Sequence, residues 1–402
     1  MIYMAGSISS GNRYDVIIIG GGIIGSSIAY FLKSCTDFRG SVLVIEKSPA
    51  YFESSTALSV GGIRQQFSVP ENIEISRFGI DFVRNYRDYL SVEGECPDIS
   101  FVENGYLFLA TESGYDILHQ NYKLQKKHEV KVDFLGPVDL RSRFPWLSVY
   151  DISAATFGYK DEGWLDPYSL LRAFKNKAVS LGAEYIKDEA VLMSHKSGKL
   201  ESVTTAGGDT YYCGFVINAA GARAAGVALL AGIDDLPVHS RKRMVYVFRS
   251  KEDIGSCPLV IDPTGVYFRS EGKNYLCGMS PPADQDFDCD DLEVDNHWFD
   301  DVIWPVLARR VEAFDAIRRE NSWAGHYAYN TLDQNAILGP HPELSNFFFA
   351  NGFSGHGLQQ APAVGRGIAE LIVRGRYQTL DLSRLSFERF RKTELVKEIN
   401  VV

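Results

Sequence analysis

The sequence is short of the features that mark several protein classes. Its six cysteines, Cys35, Cys96, Cys213, Cys257, Cys277 and Cys289, form no C-x-x-C pair and have no histidine cluster beside them. That excludes a zinc site and points to a reducing compartment, with each thiol acting as a small buried hydrophobe. No basic run exceeds Arg241-Lys242-Arg243, and 41 basic against 51 acidic residues leave a net charge of -10. A nucleic-acid binder needs a basic face for the phosphates, so that class is excluded. The short run itself is expected to be a solvated turn or strand end. No apolar run reaches the ~20 residues of a membrane span. Val16–Leu32 is uncharged but holds four glycines in 17 residues, and is expected to be a strand-turn-helix rather than a transmembrane segment. Residues 1–15 hold one arginine and no apolar centre. They do not form a secretory signal, and they are too short and arginine-poor for a clear mitochondrial presequence.

What is present is ordinary globular material in quantity. The 402 residues, 45% hydrophobic and 23% charged, exceed the ~100–200 of one domain. They suggest two units, or one large α/β domain carrying a second region, with a core that needs no staples. Glycine is raised, at 36 residues, and clustered.

The first cluster follows a β-branched stretch, Asp15-Val-Ile-Ile-Ile19, which reads as a buried parallel strand. Gly20-Gly-Gly22-Ile-Ile-Gly25 comes next, a G-x-G-x-x-G pattern. A helical pattern with Ile24, Ile28, Phe31 and Leu32 on one face follows it. A second strand, Val42-Leu-Val-Ile45, then ends in Glu46. The 27 residues from Gly20 to Glu46 match a βαβ dinucleotide-binding unit of ~30 residues. Gly20 permits the tight turn, Gly22 lets the backbone approach a pyrophosphate, and Gly25 lets the helix pack closely on the strand. The helix N-terminus offers free N–H groups to phosphate, and Glu46 suits the ribose hydroxyls.

No further βα unit follows Glu46. Instead there is a small-residue loop, Ser54-Ser-Thr-Ala-Leu-Ser-Val-Gly-Gly62. Near the other end, Phe347-Phe-Phe-Ala-Asn-Gly-Phe-Ser-Gly-His-Gly357 forms a second strand-to-glycine turn before a helix carrying Val364, Ile368, Leu371 and Ile372. Two such turns at opposite ends of the chain suit FAD, with its phosphate end and its ring end, better than NAD.

These motifs resemble the FAD-dependent oxidoreductase family of D-amino-acid oxidase, sarcosine oxidase, glycine oxidase and dimethylglycine dehydrogenase, over essentially the whole chain. Val216-Ile-Asn-Ala-Ala-Gly-Ala222 and Asp161-Glu-Gly-Trp-Leu-Asp-Pro167 are similar to the family's later segments, with Asp166 as a helix N-cap and Pro167 at N1. The resemblance implies an α/β plus α+β fold in which a Rossmann-like FAD-binding domain is interleaved with an antiparallel-sheet substrate domain. The FAD-binding domain would take 12–92, 158–235 and 322–402, and the substrate domain 93–157 and 236–321. Arg243–Arg249 and Gly265–Gly278 read as long alternating strands, Asn296–Arg310 as a helix, and the acidic Pro281–Asp291 as an exposed loop. The implied contacts to non-covalent FAD are Gly20, Gly22, Gly25, Glu46, Val191, Gly221, Gly352, Ser354, Gly355 and Gly357.

The same resemblance bears on the chemistry. Arg64 stands at a family carboxylate-binding position, where it would grip a substrate carboxylate bidentately, with Arg269 as a weaker candidate. His356 would sit near the flavin ring. Gln359 replaces the lysine of sarcosine oxidases, Gly325-His-Tyr-Ala-Tyr329 lacks the arginine of amino-acid oxidases, and Leu276 replaces the lysine that helps oxygen activation. The family's covalent flavin attachment points fall near Leu58 and His326. The phrases Leu58–Phe67, Arg141-x-Arg-Phe-Pro-Trp146 and Gly352–Pro362 further resemble a mitochondrial branch associated with assembly of respiratory complex I. That branch implies a matrix or inner-membrane location and complex I subunits or assembly intermediates as partners, with catalysis reduced. The alternative is an active FAD-dependent amine or amino-acid dehydrogenase taking a small-molecule amine.

Overall fold

The computed structural model describes residues 12–400. Residues 1–11 of the N-terminal stretch and the last two residues of the range 322–402 lie outside the described residues.

Two eight-stranded sheets organise the chain. In the first, the strands Phe347–Asn351, Thr210–Asn218, Arg13–Ile19, Val42–Glu46 and Ala183–Lys187 lie side by side in parallel, and Ile337–Pro340 closes one edge antiparallel. Ala190–Lys196 and Lys199–Thr205 attach antiparallel through Thr210–Asn218. Residues 16–19 and 42–45 are buried on both faces, as continuous β-branched runs in a parallel sheet demand. The helix Ile23–Ser34 packs between the helices Pro167–Ser180 and Gly357–Arg374. Small residues allow the approach: a Cβ on Gly25 would meet the Gly20 carbonyl oxygen at 1.9 Å, and one on Gly365 would meet Ser27 Oγ at 2.2 Å. Asp166 caps the helix Pro167–Ser180, accepting from the N–H groups of Tyr168 and Ser169.

The second sheet runs in the order Ile317–Asn330, Val238–Ser250, Asn274–Gly278, Tyr267–Glu271, Leu259–Ile261, Tyr106–Ala110, Ala154–Gly158 and Val132–Leu135. All its neighbours are antiparallel except Leu259–Ile261 with Tyr106–Ala110. The helical turns Trp298–Ile303 and Trp304–Arg310 pack their Phe299, Ile303 and Leu307 into its core. The strand Ile317–Asn330 pairs with Val238–Ser250 along its length, so the break expected between 321 and 322 falls within a strand.

Two expectations change. Gly265–Gly278 is a hairpin, not one strand: a two-residue turn at Gly272-Lys273, with Gly272 at φ +60, folds Tyr267–Glu271 onto Asn274–Gly278. Arg241-Lys242-Arg243 is no solvated turn but lies within the strand Val238–Ser250. Pro281–Asp291 is an exposed loop, as expected, and it is pinned by ion pairs. Asp286 takes both Nη atoms of Arg243 at 2.7 and 2.8 Å, Lys242 donates to Asp291 at 2.7 Å, and Arg241 and His239 meet Asp288. Each run alone looks like a charged surface; together they neutralise one another.

Candidate functional site

A cavity of about 560 Å³ lies where the carboxyl ends of the parallel strands face the second sheet. Open α/β sheets bind ligands at this edge. Ile19, Gly20 and Ala219 line it from the first sheet, and Tyr106, Val245, Tyr267 and Tyr327 from the second.

One end of the cavity is a phosphate cradle. Gly20 has φ +99, and a Cβ there would meet the Ala219 carbonyl oxygen at 2.4 Å, so only glycine makes the turn. Gly22, the N-cap of the helix Ile23–Ser34, has φ -62 and no neighbour closer than Thr56 Oγ1 at 3.4 Å from a built Cβ. The protein tolerates a side chain there, and the cavity is what it would invade. Thr56 Oγ1 accepts from the Ile23 N–H at 3.2 Å, but the N-cap glycine has no side chain and the first turn carries no acid, so the remaining N–H groups of that turn are left for an anion. Glu46 lines the cavity, held by the N–H groups of Gly21 and Ser48, both at 2.8 Å. The Tyr51 hydroxyl beside it is buried without a partner. Glycine cradle, open helix terminus and fixed carboxylate fit a dinucleotide such as FAD.

The other end is the turn before the helix Gly357–Arg374. His356 is the N-cap, and again no side chain caps the helix or places an acid in its first turn. Gly355 has φ +96, with Tyr327 packed where a Cβ would stand.

The cavity thus brings together Gly20, Gly22, Glu46, Arg64, Gly221, Gly355, His356, Gly357 and Gln359. Four expected contacts are not on its wall. Gly25 serves helix packing. Gly352, at φ +70, and Ser354, whose Oγ accepts from Asn330 N–H at 3.0 Å, shape the turn from behind. Val191 faces solvent at 45% exposure, and the wall there is Asp188-Glu189-Ala190; strand alternation turns the next side chain outward. Arg269 and Leu276 are buried in the second sheet away from the wall. Arg269 stacks on Trp164 at 4.5 Å and donates to the Val60 carbonyl.

Arg64 corrects the expectation of a bidentate grip. Its Nη1 donates to the Gln66 carbonyl at 2.6 Å, and its Nη2 donates to His356 Nε2 at 2.9 Å and to the Asn400 carbonyl. Both edges of a guanidinium that can fork a carboxylate include Nη2, and both hydrogens of that atom are engaged. The Gln359 amide oxygen is committed too: its Oε1 accepts from the Arg64 backbone N–H at 2.7 Å.

Several wall residues were hidden from the sequence. Arg243 reaches the cavity with its carboxylate partner Asp286 already in place. Tyr106 and Tyr267 are buried on the wall. Strand alternation was the available signal for all three. Behind the wall, Glu162 is fully buried, accepting from the backbone N–H groups of Gln65 and Gln66 and from Gln66 Nε2 at 2.7, 3.1 and 2.8 Å. Burial pushes its carboxyl up to about 7 against these hydrogen bonds and the Arg64 charge. The folded state therefore binds a proton more tightly than the unfolded state. Stability from this group is present below the ordinary carboxylate range and is lost as pH rises through about 7. Glu162→Gln should flatten that loss, on the order of 3 kcal/mol. Parallel denaturation curves at pH 5 and pH 8 check it; an equal pH dependence in both proteins would refute it.

The family described as FAD dependent oxidoreductase, DAO, matches residues 15–371. FAD-dependent oxidoreductase domain-containing protein 1 of Xenopus laevis is 44% identical over 426 residues, covering 97% of this chain and 85% of that protein. L-proline dehydrogenase from P. horikoshii superposes with a TM-score of 0.84 at 27% identity, over 96% of this chain and 100% of that one. Glycine oxidase from Geobacillus kaustophilus superposes at 0.79 with 25% identity, over 93% and 98%. With the cradle, the interleaved sheets and these likenesses in agreement, the chain belongs to the DAO family of FAD-dependent oxidoreductases.

Proposed function

We propose that the chain is an FAD-dependent oxidoreductase acting on a CH–NH group of a small amine, with its FAD held non-covalently and its electrons passed to an acceptor other than oxygen. The observation that carries this reading is the single cavity joining an open phosphate cradle to a tyrosine-lined pocket. Relatives named glycine oxidase and L-proline dehydrogenase support the CH–NH class.

Bound FAD would supply the two-electron acceptor for a hydride from the carbon beside the nitrogen. Gly20, Gly22 and the helix Ile23–Ser34 would hold its phosphates, and Glu46 its ribose. The helix terminus at His356 places unpaired N–H groups at the far end, where negative charge would collect. Tyr106, Tyr267 and Val245 wall the substrate side and exclude water. Among the described residues no cysteine lines the cavity. Of its two histidines, His326 donates from Nε2 to the Asp291 carbonyl and His356 accepts from Arg64. These engagements favour non-covalent binding. Leucine stands at 276, and the wall arginines Arg64, Arg223 and Arg243 are each engaged by protein groups, which favours a dehydrogenase.

The test is anaerobic bleaching of the flavin by a panel of N-methyl amines, glycine, proline and their N-methyl derivatives. Bleaching within seconds and slow recovery in air are expected, and acid precipitation should release the flavin. A flavin that no amine reduces would refute the reading.

A second reading is favoured by the engagement of Arg64 and Arg243. Catalysis would be reduced and the FAD-loaded fold would serve assembly of respiratory complex I on the matrix side of the mitochondrial inner membrane, with complex I subunits or assembly intermediates as partners. Affinity capture from mitochondria with the wild type and with a flavin-free variant tests it; recovery of no complex I subunit would sink it.

A further inference from the structure

We infer that Arg64 is a positioning residue rather than a substrate receptor: it fixes His356 as a neutral imidazole that presents an Nδ1–H donor to the cavity. The inference deepens the proposed function, since it names what the cavity offers a ligand at this point.

The guanidinium is held at both Nη atoms and on one face. It lies over the Phe67 ring at 4.1 Å, a favourable seat for a cation. The carbonyls of Gln66 and Asn400 take hydrogens from Nη1 and Nη2. Asn400 is itself anchored, donating from its backbone to Glu398 Oε1 at 2.9 Å and from Nδ2 to the Gln66 carbonyl at 3.1 Å. Glu398, fully buried, accepts from Ser68 N–H at 3.0 Å, Ser68 Oγ at 2.6 Å and Asn72 Nδ2 at 2.9 Å. The segment around Glu398 thus ties down Arg64 from a part of the chain more than 300 residues away in sequence.

One Nη2 hydrogen of Arg64 is directed at His356 Nε2, at 2.9 Å. Arginine has donors only, so His356 Nε2 must accept. The ring then carries its proton on Nδ1. Burial, and then the Arg64 charge, holds the imidazole well below its usual pKa, so the ring stays neutral. His356 is 8% exposed, lines the cavity, and packs edge-on against Phe67 at 5.0 Å. No hydrogen-bond partner for Nδ1 exists among the described residues. With Nδ1 lacking a protein acceptor and the residue on the cavity wall, this donor is left for an acceptor oxygen or nitrogen of a ligand. A carboxylate gripped by the Arg64 fork is not what it offers.

Nitrogen-15 spectra of histidine-labelled, flavin-loaded protein read the tautomer directly, with His356→Gln identifying the signal. The wild type should show one neutral tautomer protonated on Nδ1. Arg64→Lys keeps the charge but cannot reach His356, Gln66 and Asn400 together. It should give a mixed tautomer, while acetate, titrated by its effect on the flavin spectrum, changes affinity less than tenfold or has no effect in either protein. A wild-type ring protonated on Nε2 overturns the inference without any variant. An unchanged tautomer in Arg64→Lys, or a tenfold or greater loss of acetate affinity there, also overturns it. A chain that takes up no flavin would refute the proposed function instead, and the tautomer would still be readable.

Discussion

Gly22→Val is expected to give a folded protein that has lost its flavin. A Cβ at Gly22 has no neighbour within 3.4 Å, and the φ of -62 suits any residue, so the fold has no objection. The added methyls instead enter the cavity where a pyrophosphate must touch backbone. Overpacking of this kind costs about 1–3 kcal/mol, a fall in FAD affinity of roughly 5- to 150-fold. Gly25→Ala, three residues on, is expected to do the reverse. Its single methyl would stand 1.9 Å from the Gly20 carbonyl oxygen, so the strand and helix must separate and stability falls with or without FAD. Flavin absorbance per mole of protein and melting temperature, measured on both variants, separate the two effects. Full flavin occupancy in Gly22→Val would show that the phosphates bind elsewhere.

Asp333→Ala is expected to cost about 3–5 kcal/mol, because it strands a buried arginine. Arg389 Nε and Nη2 donate to the two oxygens of Asp333 at 2.7 and 2.9 Å, with side chains 2% and 0% exposed. The same carboxylate accepts from Asn330 Nδ2 at 2.7 Å and from Val396 N–H at 3.0 Å. Removing it unpins the stretch that leads to Glu398 and Asn400, so loosening should reach Arg64. Chemical denaturation gives the stability loss, and proteolysis near Val396 gives the local release. Asp333→Ala with Arg389→Leu should recover much of the loss, since an apolar pair leaves no charge behind. A loss below about 1 kcal/mol would mean that water reaches Arg389.

The phosphate cradle was legible in the sequence because its parts are local. Gly20, Gly22, Gly25 and Glu46 lie within one βαβ unit; Gly20 and Gly25 answer backbone demands that no other residue meets, and Gly22 keeps the cavity open. The substrate side was legible only in part. Arg64 stood out as a cation near a glycine pair, but its partners Gln359 and Asn400 come from other segments, and no periodicity announces such contacts. Val191 shows the cost of a one-residue offset on a strand, where the side chain changes face. The hairpin at Gly272 carried its signal openly, since glycine in the middle of an alternating run marks a turn. The basic run at 241–243 was misread as a solvated turn or strand end. Charge patterning within one segment cannot show that the opposite charge lies about forty residues along the chain and one strand away.

The order of the first sheet has a consequence for synthesis. Its central strand, Arg13–Ile19, pairs with Val42–Glu46 and Thr210–Asn218, and the latter pairs with Phe347–Asn351. At ~5–20 residues per second, the glycine turn leaves the ribosome tens of seconds before the strand that closes the sheet and the segment that seats Arg64. The far end of the cavity, at Gly355, His356 and Gly357, therefore does not exist until late in translation, and until then the apolar strands of the nascent chain need shelter from one another and from other chains.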